Sequence, residues 1–92
     1  MYELKISKSF KKSLKRIEKR GYNLSLLTEV VNKLQKGEIL PPKYKNHELT
    51  GNYKGNMECH IKPDWLLIYR IDNDILILTL VETGSHSDLF NM

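Results

Sequence analysis

An α+β fold is predicted by three features of the sequence. Apolar residues alternate over the first six positions, then recur at spacings of three and four through two stretches ending near residue 36. Beyond residue 52 come three runs rich in β-branched and aromatic residues, separated by turn formers. The expected order is a short N-terminal strand, a two-helix hairpin, and an antiparallel sheet of three to four strands.

Each element has a local reason. Tyr2, Leu4 and Ile6 alternate with Glu3 and Lys5, the two-residue period of a half-buried strand. Ser7 suits an N-cap, and Phe10, Leu14 and Ile17 form one stripe on a helix over 8–20, which Gly21 can close in a left-handed conformation. Asn23 can cap a second helix whose stripe is Leu24, Leu27, Val30 or Val31, and Leu34; Gly37 then stops it ahead of Pro41 and Pro42. A short link between two such helices makes an antiparallel hairpin. Residues 38–52 keep no period and read as a loop, of a length that is often functional. Strands are expected over 53–62, 65–72 and 75–82, turning at Pro63-Asp64 and Asp72-Asn73-Asp74.

The 92 residues fit one domain, 1–92, with a single core. Apolar residues make up 40% and charged residues 28%, an ordinary globular balance. The most apolar runs, 65–69 and 75–81, fall well short of the roughly 20 residues a membrane helix needs. The N-terminus lacks the apolar stretch of a secretory signal, and the lone Cys59 cannot build a disulfide framework, so a reducing cytoplasm is expected. Charge is uneven. Residues 1–50 hold 12 Lys or Arg against 5 Asp or Glu, and residues 51–92 hold 3 against 6. A basic half suits a polyanion such as RNA, although a solvated helix surface has the same composition.

Alternation along 57–62 puts Met57, Cys59 and Ile61 on an inward face and Glu58, His60 and Lys62 on the other. The polar trio is costly to bury unpaired, so that face is expected to border solvent or a cleft. His47 lies in the long loop and His86 just after the last strand; folding alone can bring them to His60. Asp64 suits a turn, and Phe90 suits either a core plug or a stacking platform. No closely spaced pair of metal ligands occurs, which leaves His60, Asp64 and His86 as a weak zinc set, and no glycine loop cradles phosphate. No metal or cofactor is expected. Cys59, facing inward, reads as core.

The segments YKNHELTGNYKG, ECHIKPDWLLIY and ETGSHSDLF closely resemble YafQ-like toxins of the RelE/ParE superfamily, with His47, His60, Asp64, Trp65, His86 and Phe90 in the same order and spacing. The resemblance implies a type II toxin. Such a toxin is monomeric when free, is held inactive in a hetero-oligomer with a cognate antitoxin, and cuts mRNA in the ribosomal A site. It also implies an active site of His47, His60, Asp64, His86 and Phe90. Glu82 departs from relatives with arginine just before the final Thr-Gly, so Lys54, Arg70 or the helical lysines would have to supply that cation.

RNA can be cut without metal when its 2′-hydroxyl attacks the adjacent phosphorus, which needs a base, an acid and charge stabilisation. Histidine suits both proton transfers at neutral pH. The expected roles are His86 as general acid, His60 with Asp64 or Glu58 on the base side, His47 and Lys54 on the phosphate, and Phe90 stacked on a base. Arg70 and Trp65 complete the expected substrate contacts, and the lysines of the first helix are expected to grip ribosomal RNA. The alternatives are a ParE-like gyrase poison, which does not depend on this histidine set, and an RNA-binding toxin without cleavage.

Overall fold

Ser7 ties the first helix to the sheet from the outset: its Oγ accepts the Phe10 N–H at 2.9 Å and donates to the Val81 carbonyl at 2.6 Å. The computed structural model describes residues 1–90. In chain order it contains β1 (Glu3–Ile6), α1 (Lys8–Lys19), α2 (Leu24–Gln35), β2 (His47–Glu48), β3 (Met57–Lys62), β4 (Trp65–Asp72), β5 (Ile77–Gly84) and α3 (His86–Phe90). Gly21, with φ of 80°, ends the first helical segment as expected, and Asn23 caps α2 through the Ser25 N–H.

The fold class is α+β, and the sheet is larger than predicted. Five strands run in the order β1-β5-β4-β3-β2. β1 is parallel to β5 at one edge, while the other pairings are antiparallel. Its edge position leaves Leu4 and Ile6 exposed, where alternation implied half-burial. The stripes of α1 and α2, among them Phe10, Ile17, Leu27, Val30 and Leu34, join Cys59, Trp65, Leu67, Tyr69, Leu78 and Leu80 in the main core.

Three boundaries differ from the expectation. Residues 53–56 are not strand: Gly51–Tyr53 form a 3-10 turn and Gly55 has φ of 93°, so the chain enters the sheet only at Met57. The last strand starts at Ile77 rather than 75, because Leu76 is left-handed, with φ of 54°, and Ile75 and Leu76 are exposed. Within the predicted 38–52 loop, Pro42–Tyr44 make a 3-10 turn and His47–Glu48 pair with Glu58 and Met57.

The opposite sheet face is also covered. Leu66, Ile68 and Leu89 form a second, smaller core against Leu49, Tyr53, Val81 and Phe90. A register shift opposite Ile68 and Tyr69 leaves Val81 as an extra residue in β5. Both Val81 and Glu82 contact this second core, Glu82 by receiving the Tyr53 hydroxyl at 3.4 Å.

Candidate active site

β2 lies beside β3 with His47 opposite Glu58, and β4 runs on the other side of β3 with Leu66 opposite His60. Pairing therefore sets two of the three histidines side by side, with ring centroids 6.3 Å apart. The third arrives from the first residue of α3: the His86 ring stands edge-on to His60 with centroids 5.7 Å apart. Loop, strand and tail thus supply one continuous row of imidazoles.

Two carboxylates hold the row, Asp64 at its His86 end and Glu58 between His47 and His60. Asp64, in the turn between β3 and β4, accepts the His86 backbone N–H at 2.9 Å, and the same oxygen lies 2.6 Å from His86 Nδ1. These bonds, the backbone one foremost, hold the Asp64 carboxyl below its ordinary range, so a carboxylate faces the ring and Nδ1 is the donor. Nε2 is then the nitrogen left for chemistry. Glu58 stands between the other two rings, its Oε1 3.4 Å from His47 Nε2 and 3.5 Å from His60 Nε2. His47 Nδ1 lies 2.8 Å from the Lys45 carbonyl, which can only accept, so the contact with Glu58 is attractive when a further proton lies between them. Lys45 aims that carbonyl from a left-handed conformation, φ 47°.

Glu58 corrects one expectation. Its face was predicted to border solvent or a cleft, and His60 and Lys62 do line a groove, yet the Glu58 side chain is 6% exposed and Oε2 has no partner among the described residues. The second core, with Ile68 directly across the ladder, covers it. Trp65, expected on the substrate, is a core residue instead: it is 3% exposed, edge-on to Tyr22, and its indole N–H donates to Thr83 Oγ1 at 2.9 Å. Phe90 packs edge-on against Tyr53, centroids 5.7 Å apart, and keeps part of its surface free. Lys54 and Arg70 are exposed, and neither joins the contacts that gather the histidines. Cys59 is fully buried, and burial pushes its thiol up to about 12, which leaves it inert.

Reading the sequence missed how α3 is placed. Ser85 and Asp88 cap each other: Asp88 Oδ2 accepts the Ser85 N–H at 2.9 Å and Ser85 Oγ accepts the Asp88 N–H at 3.1 Å. Arg20, just past α1, clamps both Asp88 oxygens at 2.6 and 2.9 Å, and its guanidinium holds that carboxyl well below the usual range. A Cβ at Gly84 would lie 2.8 Å from Asp88 Oδ2, so the close approach requires glycine there. The Ser-x-x-Asp spacing at 85–88 was a readable capping signal.

A sequence model of the family described as "Bacterial toxin of type II toxin-antitoxin system, YafQ" matches residues 2–91. The chain belongs to the YafQ toxin family. It is 33% identical over 89 residues to the mRNA interferase toxin YafQ of Escherichia coli K12, covering 96% of this chain and 95% of that one. Among solved structures, a metal-bound toxin from Helicobacter pylori is 48% identical with a TM-score of 0.91, over 98% of this chain and 100% of that one. A chain of the E. coli DinJ-YafQ complex is 32% identical with a TM-score of 0.88, over 98% and 99%. In this YafQ-family chain, no group of three or more His, Cys, Asp or Glu among the described residues is arranged to hold a metal ion.

Proposed function

We propose that this chain, a single toxin domain over residues 1–92, is a metal-independent endoribonuclease that cuts mRNA in the ribosomal A site. It acts in the cytoplasm and is restrained by a cognate antitoxin. The name of the E. coli relative, an mRNA interferase, and the relative's complex with DinJ support the activity and the partner. The observation that carries the chemistry is the row of three imidazoles with Asp64 at its His86 end and Glu58 between the other two rings.

On the base side, His60 backed by Glu58 removes the 2′-hydroxyl proton, and the 2′-oxygen attacks the adjacent phosphorus. The bond to the 5′-oxygen breaks, leaving a 2′,3′-cyclic phosphate, and protonated His86 delivers a proton from Nε2 to that oxygen. Asp64 steadies the His86 cation during approach. His47 and Lys54 bear on the non-bridging oxygens, Arg70 adds positive charge nearby, and the free part of Phe90 stacks on a displaced base. The α1 lysines, 8, 11, 12, 15 and 19, grip ribosomal RNA.

The test is 5′-end mapping on a defined mRNA bound to programmed ribosomes. Wild type should cut, and His86→Ala should lose about 10² to 10⁴ in rate with its fold retained. Equal cutting by that variant would remove His86 from the mechanism. DNA damage without mRNA cuts would support the gyrase-poison alternative, and RNA binding without cutting would support a toxin that lacks cleavage.

A further inference from the structure

His60 faces two ways. One side belongs to the imidazole row; the other lines a groove of about 300 Å³ between α2, the 42–45 turn and the end of β3. That volume is at the lower end of small-ligand sites. Lys43, Lys45 and Lys62 line the groove, with Leu26, Tyr44 and Ile61 as apolar wall. A register shift between His60 and Lys62 sets Lys62 opposite Trp65, at the end of the ladder. Lys43 Nζ sits 5.1 Å from the centroid of the Tyr44 ring, so its charge rests on an aromatic platform. One carboxylate, Glu29, shares the lining, and none of the three lysines makes an ion pair among the described residues.

Three cations against one anion, beside an apolar wall, match a single RNA strand: backbone phosphate on the ammoniums, base on the wall. The direction follows from the site. The groove touches His60, on the 2′-hydroxyl side, and does not include His86, on the leaving-group side. We infer that this groove is a subsite for the mRNA strand on the 5′ side of the scissile phosphate, with Lys43, Lys45 and Lys62 binding its phosphates. The inference rests on the cleavage reading above.

Its test uses RNA oligonucleotides blocked by 2′-deoxy substitution at the scissile nucleotide, bound to the free full-length chain and followed by fluorescence anisotropy. Adding two nucleotides on the 5′ side should tighten binding, whereas adding two on the 3′ side should change it little. In the variant Lys43→Ala, Lys45→Asn, Lys62→Gln, the 5′ gain should vanish. Its log–log salt dependence should fall by roughly 0.7 for each phosphate no longer neutralised by a lysine. Asn at 45 tolerates the left-handed backbone that positions His47. Unchanged thermal unfolding confirms the fold, and Lys62→Gln alone, with a smaller loss, serves if the triple variant unfolds. On programmed ribosomes the variant should raise KM and leave kcat near wild type. A gain on the 3′ side, or a triple variant that keeps the 5′ gain, overturns the subsite. Wild type that binds with the 5′ gain but never cuts overturns the cleavage reading instead.

Discussion

Replacing Glu58 by methionine should make the protein more stable and less active, and the opposite signs are the point of the experiment. The Glu58 side chain is 6% exposed, and one of its oxygens is buried without a partner among the described residues. Leaving a buried acceptor unsatisfied costs about 1–3 kcal/mol. Methionine has a similar length, carries no strong acceptor, and adapts to the apolar surroundings of Leu66 and Ile68. The pairings that methionine gives up, with His47 and His60 at 3.4 and 3.5 Å, are long, and the His47 ring is half exposed, so their absence offsets little. At about 4–8 °C per kcal/mol for a domain of this size, a net gain of about 1–2 kcal/mol raises Tm by roughly 4–16 °C. Under the proposed mechanism, in which Glu58 backs His60 as base, cleavage on programmed ribosomes should fall by about 10² to 10⁴. Thermal unfolding at pH 7 and a single-turnover cleavage assay read the two effects separately. A lower Tm would mean the carboxylate is a net structural asset, and cleavage at the wild-type rate would remove Glu58 from the chemistry.

Three further outcomes are expected. Thr83→Val strips the partner from the buried Trp65 indole and from the Leu66 carbonyl, so it should cost about 2–3 kcal/mol and lower Tm by roughly 8–24 °C, while Thr83→Ser keeps both bonds; calorimetry compares them. Asp88→Asn should lower Tm at neutral pH. Arg20 depresses the folded-state Asp88 carboxyl, so its stabilisation is fully present above the unfolded value of about 3.9 and disappears as pH falls through the lower folded value. The Tm gap between wild type and Asp88→Asn should therefore be constant from pH 7 to about 5 and narrow below about 4; a gap independent of pH would mean that the ion pair contributes nothing. Removing transition metals by chelation at constant magnesium should leave cleavage unchanged, and a loss restored by adding one back would refute the metal-independent route.

The helices were legible because their caps and stripes are local: Ser7, Asn23, Gly21 and the spacing of Phe10 and Ile17 act within a few residues of one another. The face assignment of Cys59 and His60 was legible for the same reason, since strand alternation needs no partner. β2 was not, because two residues carry no period and His47 becomes strand only by pairing with Glu58. The turn over 51–56 was hidden by Tyr53, which reads as a strand former until Gly51 and Gly55 are seen at positive φ. The second core did leave a signal. Trp65 to Tyr69 is an unbroken apolar run, the mark of a strand buried on both faces, and its Ile68 helps to bury Glu58, whose face was expected to border solvent or a cleft.

The division between the two sheet faces explains why the site needs so many side-chain bonds. The helical face carries the long elements and the larger core. The opposite face is covered by the 49–53 segment, with its 3-10 turn, and by a five-residue helix, and the edge strand β2 beside them has two residues; none of these can persist alone. Each is fastened by side chains: Asn46 to the Tyr69 hydroxyl at 2.6 Å, Tyr53 against Phe90, and Asp88 to Arg20. Arg20 matters most here, because it joins the end of α1 to the helix that begins with His86. The lysine-bearing helix and the proposed general acid are therefore one mechanical unit, so under the proposed mechanism an RNA gripped by α1 would be held at a fixed distance from the imidazole assigned to protonate it.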